Sequence, residues 1–308
     1  MEREPVGSKS LITGRTRVYG IIGDPVAHSL SPQMHNRAFT AHRLDCCYVP
    51  FPVAAADLQA AVAAVRALGL GGVNVTIPHK QRVLAYLDEI DRTAALIGAV
   101  NTIVNRAGRL TGYNTDGAGW LASLRFDAGF DPAGKRVVLL GAGGAARAVS
   151  FGLVQSGVAR LGIFDIDGQR AEKLAADLAP NAGCPITAGE TAGDALPATL
   201  AETDLLVNAT PVGMFPEHEA EPPVDPRQLT SQPLVYDLIY NPPNTRLLKE
   251  ASALGCRVLN GTGMLVYQGA LAFELWTGLR PPVEIMRQAL NEALEGCSAR
   301  GGMGILKQ

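Results

Sequence analysis

Several features that mark specialised proteins are scarce or missing in this chain. Of 308 residues only 6% are aromatic and 18% charged, and 27 Lys and Arg nearly balance 29 Asp and Glu, for a net charge of −2. Without a basic field, neither nucleic acid nor an anionic membrane is expected as a main partner. Cysteine is rare and odd in number (Cys46, Cys47, Cys184, Cys256 and Cys297), with no Cys-x-x-Cys pair. That argues against a disulfide framework or a zinc ribbon and fits a reducing, cytoplasmic setting. Long apolar runs are missing too: the longest uncharged stretch, Val258 to Phe273, contains Asn260, Thr262 and Gln268. Met1 to Arg17 has no apolar h-region. Neither a membrane span nor a signal peptide is therefore expected. His28, His35 and His42 are spaced by seven rather than four, and His79 and His218 have no ligand partners at metal spacing, so no metal is expected. Gly-x-Ser-x-Gly and Walker A patterns are also missing.

What is present is 47% hydrophobic residues and 34 Gly, with short β-branched runs alternating with helical stretches. At roughly 150 residues per domain, the length suggests two domains of an α/β class with mostly parallel sheets. In the first part the pattern predicts strands at Arg17–Ile22, Cys46–Pro50, Gly72–Ile77, Ala99–Val104 and Leu110–Tyr113. Helices are expected over Ser31–Arg43, with Ser31 as N-cap and Pro32 at N1, and from Asp57 to a stop at Gly69. In the second part, strands Arg136–Leu140, Leu161–Asp165, Asp204–Asn208, Leu234–Leu238 and Arg257–Leu259 alternate with helices such as Gln169–Leu178 and Thr245–Leu254. Two helices, Met264–Thr277 and Val283–Glu295, precede a glycine-rich tail, Ser298–Gln308, expected to be loose. The expected division is an N-terminal substrate domain, 1–115, and a second domain, 116–260, with 261–308 returning to the first.

Gly141-Ala142-Gly143-Gly144-Ala145-Ala146 lies between a strand and a helix and fits G-x-G-x-x-A, the fingerprint of a Rossmann-type dinucleotide-binding domain. Its glycines allow the turn and the approach of a pyrophosphate to the free N–H groups of the helix. Asp165 ends the next strand, where a carboxylate accepts from ribose hydroxyls and repels a 2′-phosphate. The first arginine after it is Arg170, which favours NAD over NADP. Asp167 reads as the cap of the following helix.

Four polar motifs stand where packing does not require them. Ser29 and Ser31 sit two apart beside a helix start and suit a polyol or a carboxylate. Asn74 and Thr76 share a strand face, and Pro78 turns Lys80 toward the same cleft. Asn101-Thr102 and Asn114-Thr115-Asp116 repeat the arrangement at two further strand ends. Lys80 and Asp116 would form a charge pair able to pass a proton.

With Ala99-Val-Asn-Thr102, Asn208-Ala-Thr210, Tyr236-Asp-Leu-Ile-Tyr240-Asn-Pro and Gly261-Thr-Gly-Met-Leu-Val-Tyr-Gln268 added to these motifs, the chain resembles the shikimate dehydrogenases from about Val18 to Leu290. The resemblance implies reversible reduction of 3-dehydroshikimate to shikimate with a nicotinamide dinucleotide, on the way to chorismate and aromatic amino acids. Ser29 and Ser31 would hold the substrate carboxylate. Asn74, Thr76, Asn101 and Gln268 would hold ring hydroxyls or fix Lys80, and Tyr240 would line the site. Lys80 and Asp116 would be the acid/base pair. Gly141 to Ala145 would take the pyrophosphate, and Asn208, Thr210, Leu238 and Gly261 would border the nicotinamide. Asp165-Ile-Asp-Gly-Gln-Arg170 departs from the Asn-Arg-Thr-x-x-Arg of NADP-using members and resembles the NAD-using quinate/shikimate branch. NAD is therefore the expected cofactor, with quinate left open as a second substrate. An NADP enzyme relying on Arg170, and a non-catalytic dinucleotide sensor, stand as alternatives. Monomer and homodimer are both left open.

Overall fold

The computed structural model describes residues 12–299 as two six-stranded sheets and their covering helices. The first sheet holds β1 (Arg17–Gly23), β2 (Cys46–Pro52), β3 (Gly72–Val75), β4 (Glu89–Ile90), β5 (Thr102–Arg106) and β6 (Arg109–Tyr113), in the order β2-β1-β3-β5-β6-β4. β1 pairs in parallel with β2 and β3, and β4 with β6, whereas β3-β5 and β5-β6 are antiparallel. Its helices are α1 (Ser31–Ala41), α2 (Leu58–Ala67) and α3 (Arg92–Ile97). After α4 (Asp116–Phe126) comes a regular alternation of β7 (Arg136–Leu140), α5 (Gly144–Gln155), β8 (Arg160–Asp165), α6 (Gly168–Leu178), β9 (Ile186–Glu190), α7 (Ala195–Ala201), β10 (Leu205–Asn208), β11 (Leu234–Asp237), α8 (Arg246–Ala253) and β12 (Arg257–Leu259). Every pairing in this second sheet is parallel, and its order, β9-β8-β7-β10-β11-β12, is that of a doubly wound dinucleotide fold.

The cores follow from strand alternation. In the second sheet Val137, Leu139, Leu161, Ile163, Leu205 and Val207 face one layer, while Val138, Leu140, Phe164, Leu206 and Val235 face the other. Burial on both faces explains these nearly continuous apolar runs. In the first sheet Ile22, Val73, Val75, Ile103 and Leu110 pack with Val62 and Val65 of α2. Tyr19, Ile21 and Tyr48 pack on the opposite side with Phe39 of α1. That second layer is completed by α9 (Thr262–Thr277) and α10 (Val283–Ala299), through Val266, Phe273, Trp276 and Leu290. Trp276 Nε1 donates to the Ile103 carbonyl at 3.0 Å, fastening α9 to β5.

α4 lies between α9 and α5, and its small residues make that possible. A Cβ on Gly119 would fall 2.5 Å from the Gln268 nitrogen, and one on Gly117 would fall 2.7 Å from the Ala148 carbonyl oxygen. The crossing brings Gln268 of α9 down toward Asp116, at the start of α4.

Local departures from the sequence reading have local causes. Ser31 is the first helical residue rather than the N-cap, a place taken by Leu30 without a side-chain bond. Asp57 stands at the N-cap of α2 but makes no capping bond either. β3 stops at Val75, before Thr76, and β5 begins only at Thr102. The backbone from 99 to 101 is used elsewhere: Val100 N donates to the Lys80 carbonyl (2.8 Å) and Asn101 N to that of Tyr113 (3.0 Å). The elements β4, α3, α4, β9 and α7 were not anticipated. Of these, α3 is capped by Asp91, which accepts from Thr93 N at 2.8 Å, and is closed by Gly98 at φ +70°. Asp167 caps α6 through Gln169 N at 3.1 Å. Of the stretch expected to be loose, Ser298 and Ala299 still belong to α10, and 300–308 lie outside the described residues. Among the described residues no helix is long and apolar enough to cross a membrane, and no group of three His, Cys, Asp or Glu side chains could hold a metal ion.

Candidate active site

The carboxyl ends of the two sheets face each other, and the polar motifs collect there. Lys80 follows β3 and the bend at Pro78; Asp116 opens α4, where unpaired N–H groups favour a carboxylate. Lys80 Nζ and Asp116 Oδ2 are 2.7 Å apart, with the two side chains 15% and 5% exposed. Asp116 is also held by Asn101 and by Asn114, which is itself anchored to backbone. Its N–H donates to Asn114 Oδ1 (3.0 Å), Asn114 Nδ2 donates to the Ala99 carbonyl (2.9 Å), and Asn101 Nδ2 donates to Asp116 Oδ1 (2.8 Å).

Asn101 is the centre of this buried network. Its Nδ2 also reaches Thr115 Oγ1 (2.9 Å) and Gln268 Oε1 (3.4 Å), while its Oδ1 accepts from Thr115 N (2.8 Å) and Thr102 Oγ1 (3.0 Å). Asn74 Nδ2 donates to Thr102 Oγ1 (3.0 Å) and to the Asn101 carbonyl (3.1 Å). Asn74 Oδ1 accepts from the Tyr48 hydroxyl at 2.7 Å. Thr76, Ser29 and Tyr240 are only partly buried. Ser29 Oγ accepts from Ser31 N at 3.3 Å, and Tyr240 packs from beyond β11 onto the first sheet's core.

Facing this cluster is the turn between β7 and α5. Gly141 adopts φ +99°, a left-handed conformation that favours glycine, and the loop at Ala209 and Thr210 comes within 3.1 Å of where its Cβ would be. α5 starts after Gly143 with no side chain capping its first N–H groups, and a Cβ on Gly143 would meet nothing within 4 Å. Free helix N–H groups in front of open space fit a dinucleotide pyrophosphate. At Gly144 a Cβ would lie 3.4 Å from the Lys80 side chain, so the lysine stem rests on the start of α5.

The other expected dinucleotide contacts gather at the ends of β10 and β11. Asn208 Oδ1 accepts from Thr210 N (3.0 Å) and Thr210 Oγ1 (2.7 Å), and Asn208 Nδ2 donates to Asp237 Oδ1 (3.0 Å). Asp237 also accepts from Ile239 N (3.1 Å) and Thr245 Oγ1 (2.7 Å). Burial pushes this carboxyl up to about 6 against the lowering effect of its donors. Gly261 lies against Leu238, whose carbonyl oxygen would stand 2.0 Å from a Cβ there.

Asp165, expected at the ribose, also bonds to the backbone around it. It is buried, its Oδ2 accepts from Ala142 N (2.7 Å) and its Oδ1 from Asp167 N (3.0 Å), while Arg170 approaches to 3.9 Å. Both oxygens hold backbone. Sequence reasoning also passed over Tyr48, Thr102, Thr115 and Asp237 as site residues. The repeated Asn-Thr at two strand ends was a signal for the two threonines. Nothing local marks Tyr48, whose ring meets His35 and whose hydroxyl meets Asn74, 13 and 26 positions away on other elements.

Two α/β sheets meeting at a glycine turn and a buried lysine–carboxylate pair define a dinucleotide-dependent dehydrogenase architecture. A family described as "Shikimate dehydrogenase substrate binding domain" matches residues 21–103, and "Shikimate 5'-dehydrogenase C-terminal domain" matches 261–290. The shikimate dehydrogenase (NADP(+)) of Symbiobacterium thermophilum is 52% identical over 94% of this chain and 98% of its own. That of Methanopyrus kandleri is 50% identical over 92% and 98%. A crystal structure of a shikimate dehydrogenase in complex with NADP+ superposes with a TM-score of 0.85 at 42% identity, covering 94% of this chain and 99% of that one. The chain belongs to the shikimate dehydrogenase family and is an oxidoreductase.

NAD as the main cofactor is overturned by these comparisons: relatives at 47–52% identity are named for NADP(+), and the solved neighbour holds NADP+. The charge argument went wrong because it assumed a free carboxylate at residue 165. Its oxygens accept from Ala142 N and Asp167 N, and Arg170 stands 3.9 Å away, so the negative charge at 165 is partly compensated.

Proposed function

We propose that the chain catalyses the reversible, NADP-dependent reduction of 3-dehydroshikimate to shikimate. The observation that carries this reading is the Lys80–Asp116 contact of 2.7 Å, with the lysine stem lying on the start of the dinucleotide helix. On this reading the residues up to 115, together with those after 260, form the substrate unit, and 116–260 form the dinucleotide unit.

When bound, the nicotinamide supplies or accepts the hydride. In reduction the Lys80 ammonium polarises the 3-carbonyl and protonates its oxygen, while Asp116 keeps the lysine aimed and balances its charge. In oxidation the lysine must first be without its proton, so that rate rises with pH. Asn101 fixes Asp116, and Gln268, brought over by the Gly119 crossing, closes the pocket. Ser29 and Ser31 receive the carboxylate, and Asn74, Thr76 and Tyr240 bound the ring. Gly141 to Ala145 take the pyrophosphate, and Arg170, 55% exposed, is available for the 2′-phosphate. Asn208, Thr210, Leu238 and Gly261 shape the nicotinamide end. The partners are small molecules, and the reducing-compartment cysteine pattern supports a cytoplasmic location.

The test is initial rates with shikimate or quinate, each with NADP+ or NAD+, against Lys80→Ala. Shikimate oxidation with NADP+ is expected, with kcat reduced about 10²–10⁴-fold in the variant and a nearly unchanged shikimate KM. Dinucleotide binding without turnover of shikimate by the wild type would overturn the reading in favour of a sensor.

A further inference from the structure

The Tyr48 side chain takes no part in the chemistry above, yet its one polar atom touches that site. Its hydroxyl donates to Asn74 Oδ1 at 2.7 Å and lies beside the Ser31 side chain. The ring is buried, and His35 stacks on it with centroids 4.5 Å apart and planes at 11°, so the hydroxyl cannot swing away. Asn74 cannot turn its amide over, because its Nδ2 faces the Asn101 carbonyl, which only accepts. Its Oδ1 therefore depends on Tyr48 for a donor. Beyond Asn74, Thr102 spends its proton on Asn101 Oδ1, which also takes Thr115 N, so Asn101 is left with Nδ2 toward Asp116. Between Tyr48 and Asp116 the donor direction at each link is set by a group that cannot reverse.

We propose that Tyr48 is a positioning residue that couples the carboxylate end of the substrate site to the acid–base pair. It does so through the relay Tyr48–Asn74–Thr102–Asn101–Asp116–Lys80, whose first member lies beside Ser31. The proposal rests on the function given above and assigns Tyr48 no contact with substrate. A substrate carboxylate that recruits the Ser31 hydroxyl alters what Tyr48 receives, and the relay carries that change to the lysine. The dinucleotide-side residues Asn208, Asp237 and Asp165 take no part in this chain of bonds.

The experiment compares wild type with Tyr48→Phe, which keeps the stacked ring and deletes only the hydroxyl. Kinetics are run in the oxidation direction with shikimate and NADP+ across pH. One neutral hydrogen bond corresponds to about tenfold, so kcat/KM for shikimate is expected to fall about tenfold. The KM for NADP+ stays unchanged, and the pH profile of kcat is displaced. In a cycle with Ser31→Ala the two losses are expected not to add. Equal rises in both KM values with an unmoved pH profile, or no change at all, would overturn the coupling, because loosened packing does not discriminate between substrates. Should Tyr48→Phe fail to fold, 3-fluorotyrosine at position 48 keeps the bond to Asn74 and strengthens the donor. It must then move the shikimate KM or the pH profile but not the NADP+ KM, and no movement overturns the proposal. A wild type that does not oxidise shikimate at all brings down the functional reading and this proposal together, whereas an active wild type with an indifferent Tyr48→Phe brings down only the second.

Discussion

The two sheets handle buried polarity with different emphasis. On the first, polar side chains bond to one another in a continuous chain: Asn74 to Thr102, Thr102 to Asn101, Asn101 to Asp116, Asp116 to Lys80. On the second, Asn208 bonds to Asp237, but each polar side chain at the strand ends also holds backbone: Asp165 holds Ala142 and Asp167, Asn208 holds Thr210, and Asp237 holds Ile239. Proton transfer needs functional groups aimed within a few tenths of an ångström, and mutual bonding in a low-dielectric setting supplies that aim. Dinucleotide binding needs free main-chain N–H groups in a fixed loop, and there the side chains serve as struts. The mixed sheet is thus built around side-chain chemistry and the parallel sheet around loop shape.

The contrast can be broken from either side. The largest effect is expected at Asp116→Ala: without its partner Lys80 loses its aim, and kcat falls about 10²–10⁴-fold while the KM for NADP+ holds. Steady-state kinetics on the folded variant check this, and a parallel loss of dinucleotide affinity would show that the two sides are not separable.

Asp237→Asn is expected to show its effect in stability. Burial raises the Asp237 carboxyl from 3.8 to about 6, so its neutral form is favoured in the folded protein. Its contribution to stability is fully present below about pH 4 and is lost as pH rises through 6, at a cost of about 3 kcal/mol by neutral pH. An asparagine cannot ionise and keeps an acceptor for Asn208 and Ile239. Its melting temperature relative to wild type is therefore expected to rise between pH 4.5 and pH 8; a constant difference would mean that Asp237 does not titrate in that window.

His35 gives the opposite slope on the first sheet. Complete burial lowers it to about 3, and neither ring nitrogen has a hydrogen-bond partner. Its contribution to stability is held above pH 6.5 and lost as pH falls toward 3. His35→Phe should therefore resist acid unfolding better than wild type, measured by circular dichroism at pH 4 against pH 7.5.

At the adenosine end, Asp165→Ala should raise the KM for NADP+ about tenfold by releasing Ala142, with the shikimate KM unaffected. A fall in that KM would show that the carboxylate faces the ribose after all. The smallest effect is expected at Asp167→Ala, which removes an N-cap from α6 for about 1 kcal/mol of stability and leaves kcat alone.

Much of this was legible before any coordinates. The second sheet could be read nearly strand by strand, because fully buried parallel strands leave dense apolar runs punctuated by glycine and acidic caps. The grouping of Lys80, Asn101 and Asp116 was legible because Lys80 and Asp116 stand just beyond strand-like runs, where crevices form, and Asn101 belongs to a repeated Asn-Thr motif. Legibility failed where one residue serves a distant partner. Ala99 to Asn101 look like strand but spend their backbone on Lys80 and Tyr113, and nothing in the spacing shows that Asp165 also holds the glycine turn. Tyr48 looks like any buried strand tyrosine.

Sequence alone thus determined the class of fold, the parallel dinucleotide unit, the family and the short motifs that bring chemistry to strand ends. Those are local matters, set by side-chain periodicity and by glycines in a turn. The tertiary structure decided which way each polar group faces, and with it that Asp165 holds a loop, that Gln268 reaches Asn101 across Gly119, and that Tyr48 joins the relay. Hydrogen-bond direction depends on donors and acceptors supplied from tens to more than a hundred residues away, and no spacing along the chain records which of them will meet.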